Sequence, residues 1–99
     1  MVKMTILYYR PEDPEAFQKY YLEKHLPLAS QLPGLKKLEI GPVLRGPKDP
    51  DYYWIAECYF EDMPALKRAF GSPIGEAAGK DVANFAPRGN ISFISEVRE

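Results

Sequence analysis

Few side chains in this sequence can move a proton near neutral pH, and His25 is foremost among them. It is the one histidine of 99 residues, and imidazole has an ordinary pKa close to neutrality, which suits a general acid or base. Tyr21 stands four residues earlier, so on a helix the phenol and the imidazole share one side with Phe17 and Leu28. An imidazole and a phenol beside an apolar wall can exchange a proton with an enolisable or phenolic ligand. The same residues have a plainer use: His25 can cap the last carbonyls of its helix or bond one buried backbone group, and Tyr21 can be core with its hydroxyl at the surface. Tyr8 and Trp54 suit a pocket wall, because aromatic rings line small-molecule sites, and they suit core equally well. Cys58 lies mid-strand among apolar residues, where a cysteine is a small inert hydrophobe rather than a nucleophile. Glu57 can serve as a catalytic carboxylate only if it is desolvated, and a salt bridge across a dimer is its simpler use.

Composition narrows the partners. A net charge of -1 removes the basic footprint that nucleic-acid binding needs, and Lys36-Lys37 and Lys67-Arg68 are the only adjacent Lys/Arg pairs. No apolar run reaches bilayer length and the N-terminus lacks a signal-peptide pattern, so no membrane partner and a cytoplasmic location are expected. A single cysteine forbids an intrachain disulfide, which suits a reducing compartment. One His and one Cys cannot form a conventional structural zinc site, so no metal is expected, and no Gly-rich phosphate loop or nucleophile motif is present.

Residues 1–99 form one domain by length, with 45% hydrophobic residues to fill a core. Residues 2–9 read as a first strand. Asp13-Pro14 gives a helix start, with Asp13 capping free amides and Pro14 at the first helical position. That helix runs over 14–24, Pro27 breaks or kinks it, and 28–32 add a short turn. Residues 35–44 read as a second strand in which Gly41-Pro42 marks a bulge, an edge or an early end. A polar loop over 45–51 leads to the clearest strand, 52–60. Asp62 caps a short helix through residue 70, Gly71 stops it, and Ser72-Pro73 starts another to about 84, weakened by Gly75 and Gly79. Residues 90–97 form a fourth strand. The order is β-α-β-β-α-β, the α+β ferredoxin-like pattern of a four-stranded antiparallel sheet.

Alternation along the third strand predicts Tyr52, Trp54, Ala56, Cys58 and Phe60 on one face and Tyr53, Ile55 and Tyr59 on the other, with Glu57 the one charge. Both faces are apolar, yet right-handed crossovers place all helices on one side. The bare face calls for a second copy packed sheet to sheet. For a monomer, the Tyr hydroxyls, Lys3, Thr5, Ser92 and Glu57 would have to wet that face.

Two segments, PEDPEAFQKYYLEKHLPLASQLPGL and YFEDMPALKRAFGSPIGEAAGKDVANF, set between an opening and a closing strand, resemble the EthD family of the dimeric α/β-barrel superfamily. The pieces HLPLA, LPGL, SP-x-G and D-x-x-NF, in this order, carry the resemblance along nearly the whole chain. It implies a sheet-to-sheet homodimer with a pocket in each subunit between helices and sheet. His25 matches the histidine of the H-x-PLA piece. Asp81, Asn84 and Phe85 match D-x-x-NF, where Asp81 can orient an imidazole or bind a ligand and Asn84 can place an amide at the pocket mouth. Alternatively Asp81 is solvated, Asn84 ends the helix and Phe85 packs beneath it.

Three functions follow as expectations. The first is a cofactor-independent enzyme of isomerase or cyclase type, with His25 as acid or base and Tyr21 assisting, acting on a small apolar molecule that is aromatic, lactone or polyketide-like. The second is oxygen chemistry, through haem held by His25 or through cofactor-free oxidation of an activated phenol. The third is a non-catalytic binder of a hydrophobic metabolite.

Overall fold

Side-chain caps start the longer helices of the computed structural model, which describes residues 1–98. Asp13 accepts the amide of Ala16 at 3.1 Å to open α1 (Pro14–Tyr20). Asp62 accepts that of Ala65 at 2.9 Å to open α3 (Met63–Gly71), and Ser72 that of Gly75 at 3.1 Å to open α4 (Pro73–Phe85). In each a proline follows the cap, where its missing N–H had no helical partner.

The first helix does not end before Pro27. A π turn over Tyr21–His25 follows α1 and runs directly into α2 (Leu26–Ala29), which holds Pro27 in its first turn. The Leu26 amide bonds to the Tyr21 carbonyl five residues back. A proline ring collides with the carbonyl four residues before it in a tight α-helix, and the wider π turn gives that ring room. The expected break is thus a local widening, and His25 closes it.

Strands β1 (Val2–Tyr9), β2 (Lys37–Pro42), β3 (Tyr52–Phe60) and β4 (Asn90–Glu96) form one antiparallel sheet in the order β2-β3-β1-β4. The edge strand β2 is shorter than its sequence suggested and ends at Pro42, which has no N–H for a further ladder bond. The register lines up Ile40, Ala56, Ile6 and Ser92 across the four strands, and next to them Leu38, Cys58, Met4 and Ile94. Both rows lie on the helix-covered face. Ser92 therefore does not wet the open face.

That open face carries Leu7, Ile55, Ile91 and Phe93, with Phe93 about half exposed at 48%. Glu57 pairs with Lys3 of its own chain, so no bridge to a second copy is needed to hold it. The strict alternation expected for β3 fails at its start. The pairing with β1 slips between Tyr8 and Tyr9, leaving Tyr53 as an extra residue while Tyr52 opposes and stacks on Tyr9. Such a bulge turns the extra side chain out of sequence. Tyr53 accordingly joins Phe17 and Trp54 in the core and accepts a hydrogen bond from Gln18.

Two buried clusters fill the space between sheet and helices. One is aromatic and gathers Tyr8, Phe17, Tyr21, Tyr53, Trp54 and Phe85; the other gathers Leu32, Cys58, Phe60, Leu66 and Ala69. Gly75 lets α4 fold back against α3: a Cβ there would stand 2.3 Å from the Ala69 carbonyl oxygen and 2.6 Å from Phe70 Cα. Gly75 therefore does more than weaken its helix. Among the described residues no helix is long and apolar enough to cross a membrane.

Candidate functional site

A cavity of about 100 Å³ lies where the two clusters meet. Small residues face one another there. Ala56 and Cys58 form part of its floor on β3, Ala29 adds to it from α2, and Gly75, Ala78 and Gly79 face it from α4. Large rings and Leu side chains fill the space on either side of it. Tyr8, Tyr21 and His25 bring the main polar atoms, and Asn90 and Ser92 add an amide and a hydroxyl from β4. Among the described residues, no Asp, Glu, Lys or Arg lines this cavity.

His25 is 5% exposed, and its Nδ1 lies 3.0 Å from Asp81 Oδ2. The other oxygen of Asp81 accepts the Tyr20 hydroxyl at 2.6 Å and the Asn84 amide at 3.0 Å. Burial alone would raise the Asp81 carboxyl, but hydrogen bonds from Tyr20, Asn84 and His25 outweigh it and hold the group below its ordinary range. Asp81 is thus an ionised acceptor at neutral pH, and the hydrogen between it and His25 must sit on Nδ1. Burial pushes the imidazole below its ordinary pKa, while the bond and charge of Asp81 oppose this only in part. The ring is neutral at pH 7, and its basic lone pair is on Nε2. Among the described residues, no group hydrogen-bonds to Nε2.

The phenols around the cavity are the complementary donors. Burial pushes Tyr8 and Tyr21 far above the ordinary tyrosine range, so both keep their hydroxyl hydrogen. Burial also pushes the Cys58 thiol up to about 11, which leaves it a neutral wall residue rather than a nucleophile. Among the described residues, no group of three or more His, Cys, Asp or Glu is placed to hold a metal ion.

Of the residues singled out in the sequence, the fold brings His25, Tyr21 and Tyr8 to the cavity wall. Asp81 and Asn84 stand behind His25 and do not line this cavity; the Asn84 amide donates to Asp81, and the residue lines a separate surface groove beside Tyr20 and Phe85. Trp54 is not pocket wall. It packs against Phe17, Tyr21 and Tyr53 in the aromatic cluster, and its indole N–H is buried without a hydrogen-bond partner. The Tyr21 oxygen is near enough for that N–H to temper the rise of the phenol, but not in bonding geometry. Tyr20 was not singled out. It sits on the neighbouring side of the helix, and its ring stacks on Phe85 while its hydroxyl reaches Asp81. The adjacent pair Tyr20-Tyr21 was the only hint in the sequence.

Comparison with known proteins places this arrangement in a family. The model of the EthD domain matches residues 10–89, which include the π turn, His25 and Asp81. The chain belongs to the EthD family. The chain is also similar to an uncharacterised 11.0 kDa protein from the thcB-thcC intergenic region of Rhodococcus erythropolis, 43% identical over 91 residues that cover 90% of this chain and 87% of that protein. Among solved structures, an EthD family protein of Bacillus halodurans superposes with a TM-score of 0.89 at 33% identity, covering 99% of both chains. A dimeric ferredoxin-like protein of unknown function from Jannaschia sp. shares the fold at 22% identity, with a TM-score of 0.72 over 98% of this chain and 100% of its own.

Proposed function

We propose that this EthD protein is a homodimeric, cofactor-independent enzyme that moves a proton on a small, apolar molecule, with His25 as general base. The observation that carries this reading is the His25 imidazole, held by Asp81 through Nδ1 and lining a small, partly open cavity with its Nε2 unbonded among the described residues. A base fixed in one tautomer and orientation beside apolar walls needs little rearrangement to act. In the simplest step, Nε2 takes a proton from carbon next to a carbonyl, the C–H electron pair becomes the carbon–carbon double bond of an enolate, and a Tyr8 or Tyr21 phenol donates a hydrogen bond to its oxygen. Where the ligand carries a β,γ double bond the enolate is a dienolate, and return of the proton to its γ-carbon moves the double bond into conjugation and completes an isomerisation. No electrons leave the ligand.

An apolar cavity of about 150 Å³ holds benzene, and this one is smaller at about 100 Å³, so it favours short-chain carbonyl compounds and the smallest lactones over aromatics and polyketides. The same limit argues against haem: a porphyrin is far larger than this space, even though Nε2 is free to act as a ligand. The open apolar face of the sheet supports pairing with a second copy, and the dimeric state of the Jannaschia protein of the same fold agrees with that reading.

The test is hydrogen exchange on simple ketones and lactones in deuterated water. The wild type should speed exchange at the carbon next to the carbonyl, and His25→Ala should lose about 10²- to 10⁴-fold of that rate while keeping its fold. Equal rates for both proteins would refute the assignment of His25 as base.

A further inference from the structure

Gly79 lines the His25 cavity from α4 and is also exposed to solvent, so it stands at the mouth. Neither backbone nor packing explains a glycine there. Positive φ occurs only at Gly34 and Gly89 among the described glycines, and a Cβ at position 79 would meet nothing within 4 Å. A glycine inside a helix costs roughly 1 kcal/mol relative to alanine. Gly75, one turn earlier on the same cavity-facing side, is explained by its contact with α3; Gly79 is not.

We infer that Gly79 is the aperture of the His25 cavity, its missing side chain keeping open the way by which a small, neutral carbonyl compound reaches Nε2. This rests on the acid–base reading of the site for the destination of the ligand, but the aperture itself is set by geometry. His25 supplies the independent sign of a ligand: it is 5% exposed, lines the same cavity and leaves Nε2 without a hydrogen-bond partner among the described residues. The class of ligand follows from the walls. A carboxylate or ammonium group would be buried with no opposite charge lining the cavity beside it, which is unfavourable. A neutral molecule avoids that cost. One acceptor, Nε2, and two phenol donors on residues that line the same cavity match a ligand with a weakly acidic C–H next to an acceptor oxygen.

Acetone is the probe, with acetate as its charged counterpart of equal size, and two signals are followed by NMR: binding, through the His25 ring resonances, and deuterium uptake at the α-carbon of the ketone. The ketone should bind wild type saturably, Gly79→Ala more weakly, and Gly79→Leu at least about tenfold more weakly, while both variants keep the wild-type circular dichroism spectrum. Alanine at position 79 fits without a clash, so it keeps the series interpretable even where leucine disturbs the helix. The carboxylate should not bind. Equal affinity for ketone in wild type and both variants, carboxylate binding as tight as ketone binding, or no saturable ketone binding to wild type would each overturn the inference. Binding that is lost on filling position 79, with no deuterium uptake in wild type, would leave the aperture standing and remove the acid–base reading alone.

Discussion

His25 Nδ1 and Asp81 Oδ2 meet at 3.0 Å across 56 positions of the chain, joining the π turn of the first helical segment to the middle of α4. Asp81 holds the ring without reaching the cavity, so it is a positioning residue. Asp81→Asn should keep the fold but lose the fixed tautomer, because a side-chain amide can either accept from Nδ1 or donate to it. Side-chain nitrogen NMR should then show both neutral tautomers of His25, with exchange activity on ketones falling alongside. A single unchanged tautomer would mean that Asp81 does not set it.

Protonating His25 should weaken the fold. Its folded pKa lies below the ordinary 6.5, so the unfolded chain binds a proton that the folded chain resists. This contribution to stability is complete above about pH 6.5 and is lost as pH falls toward the folded value, with a slope of at most about 1.4 kcal/mol per pH unit for one proton. Asp81, also depressed, contributes above the ordinary 3.8 and is lost only at lower pH. With one histidine in the chain, urea unfolding between pH 5 and 7.5 should show the slope in wild type and not in His25→Gln. The same slope in both proteins would assign it elsewhere.

The two glycines of α4 should respond in opposite ways to the same change. Gly75→Ala puts a methyl group against the Ala69 carbonyl and the Phe70 backbone, and should cost about 1–3 kcal/mol as an overpacked contact. Gly79→Ala meets open space and should raise stability by up to about 1 kcal/mol. Chemical denaturation of both variants measures this directly, and a destabilised Gly79→Ala would contradict the reading of position 79.

Tyr20→Phe removes one hydrogen bond from Asp81 and leaves the stacking on Phe85 in place. The carboxylate then has fewer donors and becomes a stronger acceptor for the imidazole, so the His25 pKa should rise while the fold remains. An NMR titration of the single histidine reports the shift, and an unchanged or lowered value would show that the Tyr20 hydroxyl does not act through Asp81.

Charge on the open sheet face should separate the subunits. Phe93→Glu places a carboxylate on the open apolar face, next to Ile91 on β4 and across from β1, where an unpaired charge in a dimer interface is costly. Sedimentation should give a dimer for wild type and a monomer with native circular dichroism for the variant. A monomeric wild type would remove the sheet-to-sheet pairing.

Local rules carried most of the fold. The caps at Asp13, Asp62 and Ser72, the strands at 2–9 and 52–60, and the β-α-β-β-α-β order all follow from residues close together in the chain. The departures came from distant partners. Pro27 reads as a break until a π turn upstream makes room for it. Tyr53 changes sides because the β1–β3 pairing slips by one residue, which no single strand reveals. Tyr21 and His25 were readable as one helix side, but that Asp81 turns inward to the imidazole rather than outward to water depends on how α4 packs on the π turn. Trp54 stays on the helix-covered face with Ala56 and Cys58, as alternation places it, and packs there in the aromatic cluster; the role of Tyr20 exists only through Asp81.

The central claim is a neutral His25 with hydrogen on Nδ1 and a free basic Nε2 in the cavity. Long-range proton–nitrogen NMR of the one histidine, followed from pH 4 to 9, tests it most directly. The account predicts the Nδ1–H tautomer throughout the neutral range and a pKa below 6.5. An Nε2–H tautomer, or a pKa at or above 6.5, would contradict it.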